Sequence, residues 1–395
     1  MLRSYRMASS ARLTASRFLL AIGVSVVLVV SAPFIGFVRS WIRTQFPGQF
    51  VRIIGAAIAV PAILAIGSAL LRIRERRGWR YGAIAAAIVI AVWYSLAEAT
   101  GNPDVDVVQR FHFVEYGLIT YLFYRAWRPL DDPAIVVLPV LAGLLVGTAD
   151  EWLQWFIPNR VGEMADIFLN GIAIGCGLLF SLGADPPAVF SPRVSSGSRR
   201  RIGRLGAAVI LALAAFFHIV HLGYDVRDQE IGVFKSRYSL EQLERLRVEK
   251  QETWRVHPLP LVLQRVSRED QYMTEGVTHV QERNEHLAAN DPVSAWRENQ
   301  ILEKYFAPVL DTPSYVSRTG HRWSPEQRTD VQSRAAGGPG GYVSAANPYP
   351  IYAWPRAWFW AASLALAVAV WWVCVRRARR EDGENGAVSP QSQQS

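Results

Sequence analysis

Acids, amides and one arginine collect between residues 148 and 170, where two apolar runs meet. On a helix Asp150 and Gln154 are four apart, and Glu151 and Gln154 three apart, so both pairs are neighbours on one face. Asp166 and Asn170 repeat the four-residue spacing on the next run. Pro158 and Gly162 break the chain between the runs, with Arg160 in the turn. Upstream, His112, Glu115 and Tyr116 interrupt a further apolar run. Ionisable groups at membrane depth cost about 2.5–3.5 kcal/mol each on insertion scales. A site that offsets this cost is the default expectation.

These residue types suit acid–base work on a polar headgroup. An imidazole titrates near neutral pH, which makes His112 the candidate proton shuttle. Asp150 or Glu151 is the candidate base or acid, and Asp166 is a further catalytic candidate. Arg160 suits bidentate capture of a phosphate or carboxylate. Gln154 and Asn170 would orient the substrate, with Glu115 and Tyr116 beside them. Asp150 and Glu151 diverge by about 100° on a helix, so one faces the site while the other pairs with Arg160. A divalent metal on carboxylates is conceivable, but no ligand spacing selects one, and no metal residue is assigned. The sequence leaves the cofactor open. A second reading is non-catalytic: the polar groups form a network locking three helices, and a later polar segment binds a partner.

The elements that position these residues are apolar helices. The chain has 395 residues, 51% hydrophobic, with a net charge of +9 and 14 Trp. Its arginines cluster at the ends of apolar runs, where they orient membrane helices rather than bind nucleic acid. At roughly 20 residues per span, an all-α polytopic membrane protein with about eight spans is expected. The spans cover about 17–38, 50–71, 80–97, 110–127, 134–156, 163–183, 205–222 and 356–375. Pro61 and Pro139 fall inside spans, which membrane helices tolerate. A signal-peptide reading of the first run lacks a cleavage pattern beyond Ser31-Ala32-Pro33, and an uncleaved helix is favoured. Cys176 and Cys374 lie in apolar runs and read as small buried hydrophobes rather than a disulfide framework.

Alternate connectors carry the arginines: Arg3 to Arg17, Arg72 to Arg80, Arg125 and Arg128, Arg193 to Arg204, and Arg376 to Arg380. The positive-inside rule puts these in the cytoplasm, with both termini. The connectors carrying Glu98, Asp104 and Asp106 then face outward. So do the polar ends of the fourth, fifth and sixth spans. The expected parts are an N-terminal pair (1–79), a core (80–183), a basic loop (184–204), a span (205–222), an extracytoplasmic segment (223–355), a last span (356–375) and a basic, then disordered tail (376–395). The outer segment is expected to be small and mostly helical. Ser239-x-x-Gln242 signals a helix start. Further helices are predicted at about 267–288 and 292–306, the latter capped by Asp291 and Pro292. The run Gly337-Gly-Pro-Gly-Gly341 and later prolines read as a linker. The segment lacks the apolar content for a large independent core.

His112-Phe-Val-Glu-Tyr116, Asp150-Glu-Trp-Leu-Gln154, Pro158-Asn-Arg160 and Asp166-Ile-Phe-Leu-Asn170, leading to Gly175, resemble the VanZ-like family in order and spacing. The resemblance covers roughly 80–183. It implies an envelope protein, since the founding member is associated with low-level resistance to the glycopeptide teicoplanin. Membrane lipids and a lipid-linked cell-wall precursor or glycopeptide are the partners it suggests. Added spans on both sides and the segment 223–355 depart from compact members.

Other groups read as structural. His218 and His221 sit at the end of the seventh span, and no Cys-x-x-Cys-His accompanies them for c-type heme. His279 and His286 share a helix face and are expected at the surface. Trp152, Trp155, Trp354, Trp358, Trp360, Trp371 and Trp372 mark an interfacial belt; Trp152 and Trp155 could also stack on a sugar or isoprenoid. The Arg-rich connectors suit anionic lipid. No duplicated half suggests a transporter.

Overall fold

The computed structural model describes residues 2–157, 162–187, 191–257, 271–314, 316–336 and 341–387. Seven long helices carry the first part of the chain: α1 (Leu2–Gln45), α2 (Phe50–Arg72), α3 (Arg77–Ala97), α4 (Pro103–Trp127), α5 (Ala134–Phe156), α6 (Met164–Ala184) and α7 (Ser196–His221). A hairpin of β1 (Tyr224–Asp228) and β2 (Gly232–Ser236) follows, then α8 (Leu240–Val256), α9 (Gln271–Ala288), α10 (Pro292–Tyr305), α11 (Ala307–Leu310), α12 (Pro325–Ala335) and α13 (Arg356–Ala387). The protein is thus an all-α polytopic membrane protein. Among the described residues, seven helices are long and apolar enough to cross a bilayer: α1–α3, α5–α7 and α13. The remaining expected span, α4, is helical over 25 residues but carries more charge. Prolines 33, 61 and 139 lie inside α1, α2 and α5 without ending them.

Two compact units divide the chain. The first takes residues 1–154, 163–215 and 361–395. At its centre α4 packs on α6, with α1, α2 and α3 against this pair. Tyr116, Ile119 and Phe123 of α4 meet Ala142 of α5 and Ala173 and Ile174 of α6 in one buried cluster. Gly177 lets α6 approach α4 closely: a Cβ there would lie 2.8 Å from the Gly117 Cα. By contrast α1, α2 and α13 leave large apolar side chains bare, among them Leu19 at 71%, Leu71 at 82% and Trp358 at 77%. Such surface is unstable in water and is what a bilayer covers.

The last turn of α6 is capped by arginine. Arg80 donates from Nε and Nη2 to the carbonyls of Gly183 and Ala184, both at 2.8 Å. Arg128 pairs with Asp185 at 2.7 Å. Cations at a helix C-terminus meet its partial negative charge. Asn102 caps α4 by accepting from Asp104 N–H, with Pro103 in the first turn, so this helix starts well before the expected residue 110.

The second unit holds residues 155–162 and 216–360. It has its own core, contrary to expectation: Phe234, Leu243, Tyr272, Val277, Val280, Ile301, Leu302, Phe306 and Val309 are all buried. Paired polar groups supply interior volume that the apolar count misses. His279 Nδ1 lies 2.6 Å from Glu298 Oε2, and the Tyr342 hydroxyl donates to Glu298 Oε1 at 2.6 Å. Glu275 accepts from Ser236 Oγ at 2.6 Å and from Arg237 N–H at 2.9 Å. His279 is therefore interior at 1% exposure rather than at the surface. Its α9 partner His286 is partly exposed. The capping box at Ser239 and Gln242 forms as predicted. Strands β1 and β2 pair antiparallel, and Gly232, which opens β2 opposite Asp228, takes φ 133°.

Candidate functional site

Three helices assemble the polar groups. On α4, positions 112 and 116 are four apart and point one way. The His112 and Tyr116 rings stack with centroids 5.9 Å apart and planes within 4°. On α5, Asp150, Glu151 and Gln154 occupy the last two turns. On α6, Asp166 and Asn170 lie one turn apart near its start. Helix α5 comes close at Gly147: a Cβ there would lie 3.3 Å from both Asn170 and the Tyr116 ring.

Hydrogen bonds tie these helices together. The Tyr116 hydroxyl donates to Asp150 Oδ2 at 3.0 Å. The Gln154 amide donates to the same oxygen at 3.0 Å and to Glu151 Oε1 at 3.2 Å. The adjacent carboxyl groups are thus bridged by one amide, although their backbone directions diverge. His112 Nδ1 lies 2.9 Å from Asn170 Oδ1. With that oxygen accepting, a neutral His112 carries its proton on Nδ1 and its lone pair on Nε2. Tyr116, Glu151 and Asn170 are 0% exposed, and Asp150 and Gln154 are 5% exposed. His112 is only partly buried. The Asn170 Nδ2 donor has no partner among the described residues.

The nine expected residues divide. His112 and Asn170 form one hydrogen-bonded pair, and Tyr116, Asp150, Glu151 and Gln154 form a second group beside it. Glu115 is partly buried on the neighbouring face of α4, about 100° from Tyr116. Arg160 lies outside the described residues, and with it the expected pairing to Asp150 or Glu151. Asp166 lines a small open cleft between α3, α4 and α6, with Glu98, Gln109 and Arg110. Arg110 was not among the expected residues. Its only signal was a cation inside a run that also held His112 and Glu115.

Trp155 is not free to stack on a sugar. It is 8% exposed, edge-on to Tyr349 at 5.8 Å, with the Arg237 guanidinium 4.6 Å from its ring. His221 Nδ1 lies 2.8 Å from the Pro350 carbonyl, and Trp360 Nε1 donates to His218 Nδ1 at 3.3 Å. Both histidines hold local structure.

Residues 18–183 match the family model described as VanZ/LLP1. The match is wider than the motif-bearing stretch 80–183, because it takes in α2 and most of α1. None of the curated proteins and none of the solved structures matches the chain. The chain carries a VanZ-like core built of α1 to α6.

Proposed function

We propose that this VanZ-like membrane protein binds the headgroup of an envelope lipid or lipid-linked cell-wall precursor. The site faces the outer side of the bacterial inner membrane, with both termini cytoplasmic and the segment 223–355 extracytoplasmic. The observation that carries this reading is the buried group of Tyr116, Asp150, Glu151 and Gln154, with the partly exposed His112 stacked on Tyr116 and bonded to the buried Asn170. Polar groups this costly at membrane depth favour a functional use over packing. The orientation rests on loop charge. Arg72, Arg80, Arg125, Arg128 and Arg193 lie at one set of helix ends, and Glu98, Asp104 and Asp166 at the other. His112 is the group that would exchange a proton with a bound headgroup, and the buried carboxyl groups hold Tyr116 and the α5 end in place. Tolerance of glycopeptide antibiotics would follow from sequestering or shielding such a precursor.

The test is native mass spectrometry of lipids retained by the full-length protein, beside teicoplanin susceptibility of the host. His112→Ala is expected to release a headgroup-selective lipid and raise susceptibility, with a fall in melting temperature no larger than that of Tyr116→Phe. The burial of Glu151 at 0% favours a second reading, a polar lock between helices. If His112→Ala retains the same lipids while Glu151→Gln only lowers the melting temperature, the lock stands alone.

A further inference from the structure

The hairpin of the second unit has one covered edge and one open edge. Strand β2 is covered: Val233 N–H donates to the Tyr342 carbonyl and the Val233 carbonyl accepts from Ser344 N–H, both at 2.8 Å. Val233 stands opposite Arg227 in the β1–β2 register. Its main-chain groups are spent on the far side, so Arg227 and Val233 form a pair without mutual hydrogen bonds. The N–H and C=O of Arg227 therefore point away from β2, and by the alternation of the ladder so do those of Asp225. Gly223, two residues earlier, donates its N–H to the Tyr352 carbonyl at 3.1 Å, at the start of the same edge. Past Tyr352, no backbone partner lies on this edge among the described residues.

Side-chain charge on this edge is self-complementary. Asp225 and Arg227 are exposed and share the face opposite the buried Val226. Asp225 is met from its own hairpin by Lys235 at 3.1 Å. Arg227 has no ion pair among the described residues. Laid antiparallel against a second copy about Val226, Asp225 of each copy stands opposite Arg227 of the other. These are also the residues with outward N–H and C=O groups, so backbone bonds and ion pairs form in the same register. A slip of two residues either way sets Asp225 against Asp225 or Arg227 against Arg227. Tyr352 blocks sliding toward Gly223, and the chain turns away at 229–231. Bare edge groups are a template for another strand, and here the charges select one partner and one register.

We propose that β1 is the docking edge for a second copy of this chain, the two β1 strands pairing antiparallel about Val226 to make one continuous sheet in the order β2–β1–β1–β2. Asp225 then lies between Lys235 of its own hairpin and Arg227 of the other copy, so charge alternates across the sheet. Cross-strand pairs of opposite charge stabilise a sheet, and like charges directly opposite destabilise it. Copies anchored in one membrane have already given up part of the freedom that association costs, so a short edge suffices. This inference uses none of the headgroup-site residues and stands independently of that reading.

The experiment measures energy transfer between donor- and acceptor-labelled full-length copies reconstituted in liposomes at low density. Wild-type copies are expected to show transfer. Asp225→Arg alone sets arginines opposite each other at both contacts, and Arg227→Asp alone sets aspartates there. Each is expected to weaken pairing about tenfold. An equal mixture of the two variants restores unlike charges at both contacts, and transfer between them is expected to return to the wild-type level. A misfolded variant would not regain pairing in this way. Because Asp225→Arg also faces Lys235, Arg227→Pro serves if it does not fold. The Arg227 N–H points away from β2, so proline there keeps the hairpin ladder and removes a backbone donor from each copy at the contact. Transfer is expected to fall in Arg227→Pro as well. Absence of transfer in wild type, transfer unmoved by Arg227→Asp and Arg227→Pro, or a mixture no better than either variant alone overturns the proposal.

Discussion

The crossing of α4 and α6 at Gly117 and Gly177 holds the buried network in register. A methyl carbon at Gly177 would stand 2.8 Å from Gly117 Cα, 3.0 Å from its carbonyl oxygen and 3.1 Å from Thr120 Cβ. Carbon–carbon contact is comfortable at about 3.5–4.0 Å, so the shortfall is roughly 0.7 Å. The obstacle is backbone, which has no alternative rotamer. Gly177→Ala must therefore push α4 off α6. Gly117 adjoins Tyr116, and Asn170 lies two turns before Gly177. The displacement thus reaches the Tyr116–Asp150 and His112–Asn170 contacts. Overpacking of this kind costs about 1–3 kcal/mol. Gly175→Ala is the matched control, because a Cβ there meets nothing within 4 Å. Both substitutions gain the same helix propensity, about 0.5–1 kcal/mol, so their difference isolates the steric term. Thermal unfolding of the two variants in one detergent, followed by tryptophan fluorescence, is expected to place Gly177→Ala several degrees below Gly175→Ala. Coincident melting curves, or a more stable Gly177→Ala, would refute the close crossing.

Two further perturbations have signs fixed by the structure. Tyr116→Phe removes the buried donor to Asp150 Oδ2 and is expected to cost about 1–3 kcal/mol; Tyr121→Phe, on a partly buried ring whose hydroxyl accepts from Arg125, is expected to cost less. In the second unit, burial and then the Arg283 guanidinium push the His321 imidazole down from 6.5 to about 4. The fold holds it neutral, while the unfolded chain protonates it below about 6.5. Its contribution is present above that pH and is lost as pH falls toward 4. The loss amounts to about 1–2 kcal/mol after allowing for partial solvent screening. Glu275 acts in the opposite sense: burial raises its carboxyl, so taking up a proton favours the fold. Melting of the unit between pH 7 and 4 should be less acid-sensitive in His321→Gln than in wild type, and equal slopes would contradict this.

Much of the membrane part was legible because apolar runs and arginine clusters are local signals. The network was legible for the same reason: spacings of three and four place Asp150, Glu151 and Gln154 on adjoining faces, and one amide joins them. The start of α4 was readable in Asn102-Pro103 but was obscured by the acids that follow. What spacing cannot supply is pairing between distant segments. His279 has the spacing of a surface residue, and its burial is explained only by Glu298 on another helix. The β1–β2 hairpin escaped notice because its strands are short and charged, with Val226 and Phe234 as its buried pair. Arg110 and Glu98 gain their meaning only when α3, α4 and α6 close one cleft.

The central claim is that the polar ends of α3, α4 and α6 open outward. Thiol labelling in intact cells tests it, using Asp166→Cys in a chain with Cys176→Ala and Cys374→Ala, and Arg193→Cys as the opposite-face control. A membrane-impermeant maleimide is expected to label the residue-166 thiol in intact cells and the residue-193 thiol only after permeabilisation. The reverse pattern would contradict the account.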